Sequence, residues 1–243
     1  MLKEQFIYWY RKYIPKKIRN TIQKIILTKQ GWKWKVMDLE ILINKYHLTS
    51  EGIAHIGAWK AKEVHKYKKL FGDIPIVFVE PNIKLKPFIE QNLKDYKKVR
   101  CEYLALGSTK TTGALNLHYS NIDEDYIGQS SSILDPLLHP PIGDKKVEVE
   151  IITADELFNN DIIDFLSIDV QGYELEVLKG ATEILKGVKN IIIEVNKSEQ
   201  YRGCPLIQEI DKYLSNYNFI RKETEWYGDT EDWGDAFYQK NSN

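Results

Sequence analysis

The feature that most constrains the fold is an alternation, from about residue 52 onwards, of short unbroken apolar runs with helical segments. Strands that are buried on both faces have continuous apolar runs, whereas strands with one solvated face alternate apolar and polar residues. Such strands are predicted at residues 52–57, 75–80, 99–106, 164–169 and 190–195. Because helices separate them, the pattern predicts an α/β fold, with a parallel sheet covered by helices on both faces.

Helices connect these strands, and two regions depart from the alternation. The predicted helices span residues 58–71, 82–94, 173–185 and 205–217. Residues 107–150 contain several glycines and prolines and a run of serines, which predicts a hairpin and loop insertion that ends in a strand near residues 147–152. The last part of the chain is predicted to form two strands within residues 218–240, around a turn at 228–234.

The first part of the chain differs from the rest in charge. Residues 1–36 hold ten lysines or arginines and one glutamate, a formal charge of +9, so the remainder carries −10. Apolar residues at spacings of three and four predict a helix over the first thirty residues, interrupted at Pro15. We therefore divide the chain into a basic helical extension, residues 1–50, and a main domain, residues 51–243. The extension could pack as a lid, or it could contact an anionic membrane surface or a polyanionic substrate.

Composition and cysteine spacing argue against several classes of protein. No apolar stretch is long enough to cross a bilayer, and the N-terminus lacks the pattern of a secretory signal. The two cysteines, Cys101 and Cys204, have the spacing of neither a disulfide framework nor a zinc site, which favours a reducing, cytoplasmic compartment. The acidic charge of the main domain argues against a nucleic-acid partner, which requires a basic surface.

Polar and small residues follow the predicted strands at the edge where α/β sheets bind ligands, beyond their carboxyl ends. In chain order they are His55, Gly57 and Ala58, then Glu80, Pro81 and Asn82, then Gly107 and Ser108, then Asp169, and finally Glu194 and Asn196. We predict that the Glu80 carboxylate accepts both hydroxyls of a ribose, and that Gly57 lets the backbone approach the ligand. The alternative is a tight turn that ends in a solvated glutamate.

Asp169 is a candidate for the chemistry because it ends a buried strand and precedes Gly172, which can adopt backbone conformations closed to other residues. The alternative role is a cap on the helix that follows. Glu194 and Asn196 point to the same face, and with Asp169 they could bind Mg²⁺ or hold a sugar hydroxyl. His139, in a loop after the serine run, could act as a general base or be an exposed loop imidazole.

Four segments give the sequence a family resemblance. Residues 165–181, FLSIDVQGYELEVLKGA, resemble the signature segment of the FkbM family of O-methyltransferases. Three further segments match in the expected order: residues 79–82 (VEPN), 129–134 (QSSSIL) and 233–237 (WGDAF). The resemblance covers residues from about 50 to about 240.

The resemblance implies a Rossmann-like class I methyltransferase fold, with a mostly parallel seven-stranded sheet. It also implies S-adenosylmethionine as cofactor and methyl transfer to an oxygen of a small-molecule or glycan acceptor, such as a sugar or a secondary metabolite. Carried over by position, Gly57 and Ala58 would line the methionine end of the cofactor, Glu80 would hold its ribose, and Asp169 would face the reacting centre. The insertion at residues 107–150 would line the acceptor pocket.

Two residues depart from the pattern of such proteins: Ala61 stands where a glycine is expected, and His55 replaces a more typical acidic residue. The altered loop leaves open a non-catalytic partner of a glycan-synthesis complex. A nucleotide or RNA 2′-O-methyltransferase is a third interpretation, against which the acidic main domain and the lack of an evident Lys-Asp-Lys-Glu set weigh. For an enzyme, the candidate proton acceptors are Asp169, Glu194 and His139, or a metal ion that lowers the pKa of the acceptor hydroxyl.

Overall fold

The computed structural model describes residues 37–118, 128, 130–137, 146–227 and 232–241. Its helices are α1 (Leu39–Tyr46), α2 (Val64–Phe71), α3 (Lys86–Leu93, preceded by the 3₁₀ turn Ile83–Leu85), α4 (Ala154–Leu157), α5 (Glu174–Lys179), α6 (Ile184–Gly187) and α7 (Ile207–Ser215). Its strands are β1 (Ile53–Ile56), β2 (Ile76–Val79), β3 (Val99–Glu102), β4 (Ala105–Leu106), β5 (Thr111–Asn116), β6 (Lys146–Ile152), β7 (Phe165–Ile168), β8 (Asn190–Asn196), β9 (Phe219–Tyr227) and β10 (Trp233–Lys240). The helix predicted over the first thirty residues lies outside the described part of the chain.

Seven of these strands form one sheet, in the order β3-β2-β1-β7-β8-β10-β9. The first five are parallel to one another, and β10 runs antiparallel to both β8 and β9. The predicted seven-stranded, mostly parallel sheet is therefore confirmed. The two C-terminal strands predicted within residues 218–240 are also confirmed.

Different helices cover the two faces of this sheet, because successive strand residues point to opposite sides. Ala54 and Ile56 belong to a buried cluster that includes residues of α5, α6 and α7. Ile53 and Phe78 belong to a second cluster, with residues of α1, α2 and α3. None of the described helices is long and apolar enough to span a membrane.

The third predicted strand, residues 99–106, is wrong as a single strand. β3 ends at Glu102, and β4 belongs to a separate three-stranded sheet with the order β4-β6-β5. Ala105 is buried in the core of this small sheet together with Leu115 and Ile151. The apolar pattern continues past Glu102 because β3 packs in the core of the large sheet and β4 packs in the core of the small sheet. Periodicity in the sequence does not distinguish these two cores.

The helix predicted from residue 58 begins only at Val64. Trp59 and Ala61 have φ values of 47° and 52°, which a right-handed helix excludes. The loop between β1 and α2 is therefore irregular over residues 57–63, and its shape determines which backbone groups face the end of β2.

The helix predicted over residues 173–185 is two helices, α5 and α6, rather than one. The carboxylate of Asp155 accepts hydrogen bonds from the backbone N–H groups of Glu183 and Ile184, at 2.9 Å each. An acceptor at the first N–H groups of a helix stabilises its start, so Asp155 fixes the beginning of α6 from a distant part of the chain.

Candidate functional site

A cavity of about 490 Å³ lies at the carboxyl edge of the large sheet. Its wall includes Glu80 after β2, Asp169 after β7 and Asp235 on β10. Four strand spacings separate β2 from β10, which is roughly 19 Å at 4.7–4.9 Å per spacing. Asp169 follows the strand that lies midway between them. Part of the 107–150 insertion also borders the cavity, through Leu115, Gly128, Ser131 and Ile133.

Glu80 is held at one end of this cavity by two backbone groups. Its Oε1 accepts a hydrogen bond from the N–H of Asn82, and its Oε2 accepts one from the N–H of Trp59, both at 2.8 Å. The side chain is buried, and burial raises the pKa of Glu80 to about 7, although the two N–H donors act in the opposite direction. The left-handed conformation of Trp59 forms part of the turn that brings its N–H to this carboxylate.

Gly57 is required by the close approach of two strand ends. Its φ is +87°, and a Cβ at this position would lie 1.7 Å from the carbonyl oxygen of Asp169. A substituted residue would therefore separate the loop after β1 from the loop after β7. Ala61 adopts a positive φ although it has a side chain, which fits a position where a glycine is expected.

Asp169 and Glu194 are joined by the side chain of Gln171. Its Nε2 donates to Asp169 Oδ1 and to Glu194 Oε2, at 2.7 Å each. Gln171 is itself held by the hydroxyl of Tyr201, which donates to Oε1 at 2.5 Å, and by the Ser132 hydroxyl, which donates to its carbonyl oxygen at 2.6 Å. The carboxylates of Asp169 and Glu194 thus share one amide donor, whose position is fixed by Tyr201 and Ser132. Strand geometry alone does not predict this bridge.

The alternative role of Asp169 as a helix cap is wrong. The N-cap residue of that helix is Tyr173, which makes no side-chain capping bond, and Glu174 Oε1 instead accepts hydrogen bonds from the N–H groups of Val170 and Gly172 in the preceding loop, at 3.1 and 3.0 Å. Gly172 has a φ of +98°, as expected from its position. Asp169 is exposed to the cavity and makes its hydrogen bond to Gln171 instead.

Burial shifts the pKa values of two residues that line the cavity, Glu194 and His55. The pKa of Glu194 lies well above its usual value because the side chain is buried, and because the charges of Asp169 and Glu174 oppose its ionisation. His55 is also buried, and this lowers its pKa. Its Nδ1 lies 2.8 Å from the hydroxyl of Tyr67. Glu194 therefore tends to hold its proton, and His55 tends to stay neutral.

Most of the residues predicted from the strand ends border the cavity, and some do not. The cavity is lined by His55, Gly57, Ala58, Glu80, Pro81, Asp169 and Glu194, whereas Asn82, Gly107, Ser108 and Asn196 are not part of its lining. The Asn82 side chain accepts from the N–H of Lys84, and the Ser108 hydroxyl donates to Glu176. Gly107 and Ser108 follow β4, which is not a strand of the large sheet. His139 lies outside the described residues.

The magnesium alternative has no support in the described part of the chain. It contains no group of three or more histidine, cysteine, aspartate or glutamate side chains that could hold a metal ion. The amide nitrogen of Gln171 is a donor placed between Asp169 and Glu194, where a cation would require oxygen ligands. Asn196, the third proposed ligand, is fully buried and does not line the cavity, and its amide has no hydrogen-bond partner among the described residues.

Sequence reasoning assigned no role to several residues that line the cavity. They are Gln171, Tyr67, Tyr227, Trp233 and Asp235. Three of them lie in segments that resemble the family: Gln171 in FLSIDVQGYELEVLKGA, and Trp233 and Asp235 in WGDAF. The family resemblance could therefore have indicated these three residues, whereas no chemical pattern in the sequence did. The hydrogen bond of the Tyr227 hydroxyl to Asp235 joins two strands whose turn lies partly outside the described residues.

The sequence matches the profile of the methyltransferase FkbM domain over residues 51–221. The chain belongs to the FkbM methyltransferase family. The FkbM family consists of S-adenosylmethionine-dependent methyltransferases, and the Rossmann-like class I fold expected for such a member is present. No curated protein matches the sequence significantly.

Solved structures similar to this FkbM domain include several methyltransferases. The N-methyltransferase NodS from Bradyrhizobium japonicum WM9 is 9% identical, with a TM-score of 0.49, covering 84% of this chain and 92% of its own. Magnesium protoporphyrin IX methyltransferase from Synechocystis PCC 6803, with bound SAM, is 10% identical, with a TM-score of 0.47 and coverages of 98% and 91%. Precorrin-6y C5,15-methyltransferase from Geobacter metallireducens GS-15 is 12% identical, with a TM-score of 0.47 and coverages of 86% and 92%. The family assignment rests on the profile match and not on these similarities.

Proposed function

We propose that this FkbM domain transfers the methyl group of S-adenosylmethionine to a hydroxyl oxygen of a small-molecule or glycan acceptor. The observation that carries the proposal is a single cavity that joins Glu80, at the end of β2, to the linked carboxylates Asp169 and Glu194. Glu80 is suited to binding a ribose, and Asp169 and Glu194 are suited to binding an acceptor hydroxyl.

The residues at the β2 end fit the cofactor. Each oxygen of the Glu80 carboxylate accepts one backbone hydrogen bond and keeps lone pairs that can accept from the two ribose hydroxyls. Gly57 lines the same wall, and the space beside its Cα is filled by the carbonyl of Asp169, so this glycine holds the loops after β1 and β7 together next to the proposed cofactor site. His55 and Ala58 line the adjoining wall and would face the methionine part of the cofactor.

The bound cofactor would supply an electrophilic methyl group, and the protein would supply position and a proton acceptor. An acceptor hydroxyl would have to be held at roughly 3–3.5 Å from the carbon that it attacks. Asp169 is exposed to the cavity and oriented by Gln171, so it can accept a hydrogen bond from that hydroxyl. Glu194, whose pKa is raised by burial and by neighbouring charges, receives the proton only in molecules in which its carboxyl is already ionised.

We also propose a cytoplasmic location for the protein, with the basic residues 1–36 as a contact to an anionic surface. The free cysteines Cys101 and Cys204 and the charge of +9 in that segment support these two proposals. The five carboxylates that the described part of the chain places on the cavity wall support an acceptor other than nucleic acid.

The proposed function is tested by methyl transfer from labelled S-adenosylmethionine to a panel of neutral methyl glycosides. We expect a base-stable O-methyl product, and a loss of about 10²–10⁴-fold in rate for Asp169→Asn and for Glu194→Gln, the range for loss of a general base. Both variants should still bind S-adenosylhomocysteine. A nitrogen- or carbon-methylated product, or full activity in both variants, would contradict the proposal.

A further inference from the structure

The end of the cavity farthest from Glu80 has its own set of residues. It lies against β8, β10 and β9 and is lined by Glu194, Asp235, Tyr227 and Trp233, with Met37 before α1. Glu80 lies roughly four strand spacings, or about 19 Å, from this end. We call these five residues the distal compartment. None of them is a residue proposed above to bind the cofactor, and Glu194 is the one that also belongs to the proposed catalytic pair.

Two aromatic side chains of the distal compartment lie next to the carboxylate of Asp235. The rings of Tyr227 and Trp233 meet edge to face, with centroids 5.0 Å apart, and Trp233 is half-exposed. The Tyr227 hydroxyl donates to Asp235 Oδ2 at 2.6 Å and accepts from the N–H of Met37 at 2.8 Å. The carboxylate is therefore fixed through one oxygen, while Oδ1 receives no hydrogen bond from the described residues.

The charge of the cavity narrows the class of ligand. Five carboxylates line the wall in the described part of the chain, those of Glu63, Glu80, Asp169, Glu194 and Asp235. One lysine, Lys66, lines it too, and its ammonium lies 3.3 Å from Asp38. Burial, together with the charge of Asp169, raises the pKa of Asp235 to about 7. A further negative charge placed here would oppose the ionisation of these groups and be repelled by those already ionised.

We propose that the distal compartment binds a polyhydroxylated ring without negative charge as the acceptor, with the ring against Trp233 and a hydroxyl bonded to Asp235 Oδ1, and that it discriminates against anionic rings. The inference rests on the proposed function, since one hydroxyl of that ring must face Asp169 and Glu194. A carboxylate oxygen accepts hydroxyl donors, and an aromatic face covers the apolar side of a ring.

The test uses three ring probes of one shape and different charge: methyl glucoside, glucuronate and glucosamine. Saturation-transfer NMR on the full chain, with and without S-adenosylhomocysteine, should detect methyl glucoside and show little or no glucuronate. Trp233→Ala should weaken methyl glucoside binding about tenfold, the scale of one lost aromatic contact. The matched control is Trp226→Ala, a tryptophan on the neighbouring strand that packs on the opposite face of the sheet and should leave binding unchanged.

Asp235→Asn is a second, nearly isosteric variant that keeps the test valid if Trp233→Ala does not fold. At pH 8, where the Asp235 carboxyl with its pKa of about 7 is mostly ionised, the variant should bring the affinities of glucuronate and methyl glucoside closer by about tenfold, because it removes one negative charge. In the unaltered protein, binding of glucuronate as strong as that of methyl glucoside or of glucosamine would overturn the proposal. No detectable binding of methyl glucoside, or an equal loss in Trp226→Ala, would overturn it as well. Failure of the proposed function is seen separately, as absent S-adenosylhomocysteine binding, because the probes are also measured without it.

Discussion

Replacing the strand-end glutamate by glutamine, Glu80→Gln, separates its effect on stability from its effect on cofactor binding. Burial raises the pKa of Glu80 from its usual value of 4.5 to about 7. At 1.36 kcal/mol per pKa unit, the ionised side chain costs the folded state about 3 kcal/mol above pH 7. The corresponding contribution of the protonated Glu80 to the free energy of unfolding is fully present below pH 4.5 and is lost as the pH rises through 7. Glutamine stays neutral and does not follow this curve.

Relative to the unaltered protein, the free energy of unfolding of Glu80→Gln should therefore rise by about 3 kcal/mol between pH 4.5 and pH 8. Binding should move in the other direction. Glutamine offers one acceptor where the N–H groups of Asn82 and Trp59 and two ribose hydroxyls need a carboxylate. The loss of one charged hydrogen bond, about 1.5–3 kcal/mol, predicts roughly 10–150-fold weaker binding of S-adenosylhomocysteine at pH 8.

Isothermal titration measures the affinity, and urea unfolding at the two pH values measures the stability. The matched control is Glu102→Gln, a glutamate at the end of the neighbouring strand β3 that bonds Arg100 and does not line the cavity. Unchanged affinity in Glu80→Gln, or an equal loss in Glu102→Gln, would refute the assignment of Glu80 to the ribose.

Two further predictions concern the backbone and the N-terminus. Gly57→Ala should lower the free energy of unfolding by more than the roughly 1–2 kcal/mol of a left-handed residue, because its Cβ would also strike the Asp169 carbonyl; Gly187→Ala, with open space around it, should be neutral in the same urea titration. A chain lacking residues 1–30 should keep its affinity for S-adenosylhomocysteine and lose binding to anionic liposomes, and failure of that chain to fold would favour the packed-lid interpretation instead.

The parts of the site that sequence could predict follow from one rule. Ligands of α/β sheets lie beyond the carboxyl ends of strands, and the ends of the apolar runs placed Glu80, Asp169 and Glu194 correctly at that edge. The rule failed at Gly107 and Ser108, because an apolar run continues from β3 into β4 although the two strands belong to different sheets. Local periodicity reports burial but not the core in which a residue is buried.

The parts that sequence could not predict depend on contacts between distant segments. Gln171 joins Asp169 and Glu194 only because Tyr201 and Ser132, 30 and 39 residues away, hold its side chain and carbonyl. A glutamine in a loop has no pattern that predicts such a bridge. Asn196 was predicted to lie on the face of Glu194, and the alternation of β8 agrees, but only the packing shows that its amide has no hydrogen-bond partner among the described residues.

The order of the strands has a consequence for synthesis on the ribosome. β9 is made before β10 but pairs only with it in the large sheet, and β10 takes the place beside β8. Until β10 leaves the exit tunnel, β8 has an open edge and β9 has no neighbour in the sheet. The nascent chain can assemble the strands from β3 to β8 earlier, while Tyr227, Trp233 and Asp235 come together only after β10 has been made. A chain truncated before β10 would carry an unpaired edge at β8, the kind of surface on which strands of other chains add.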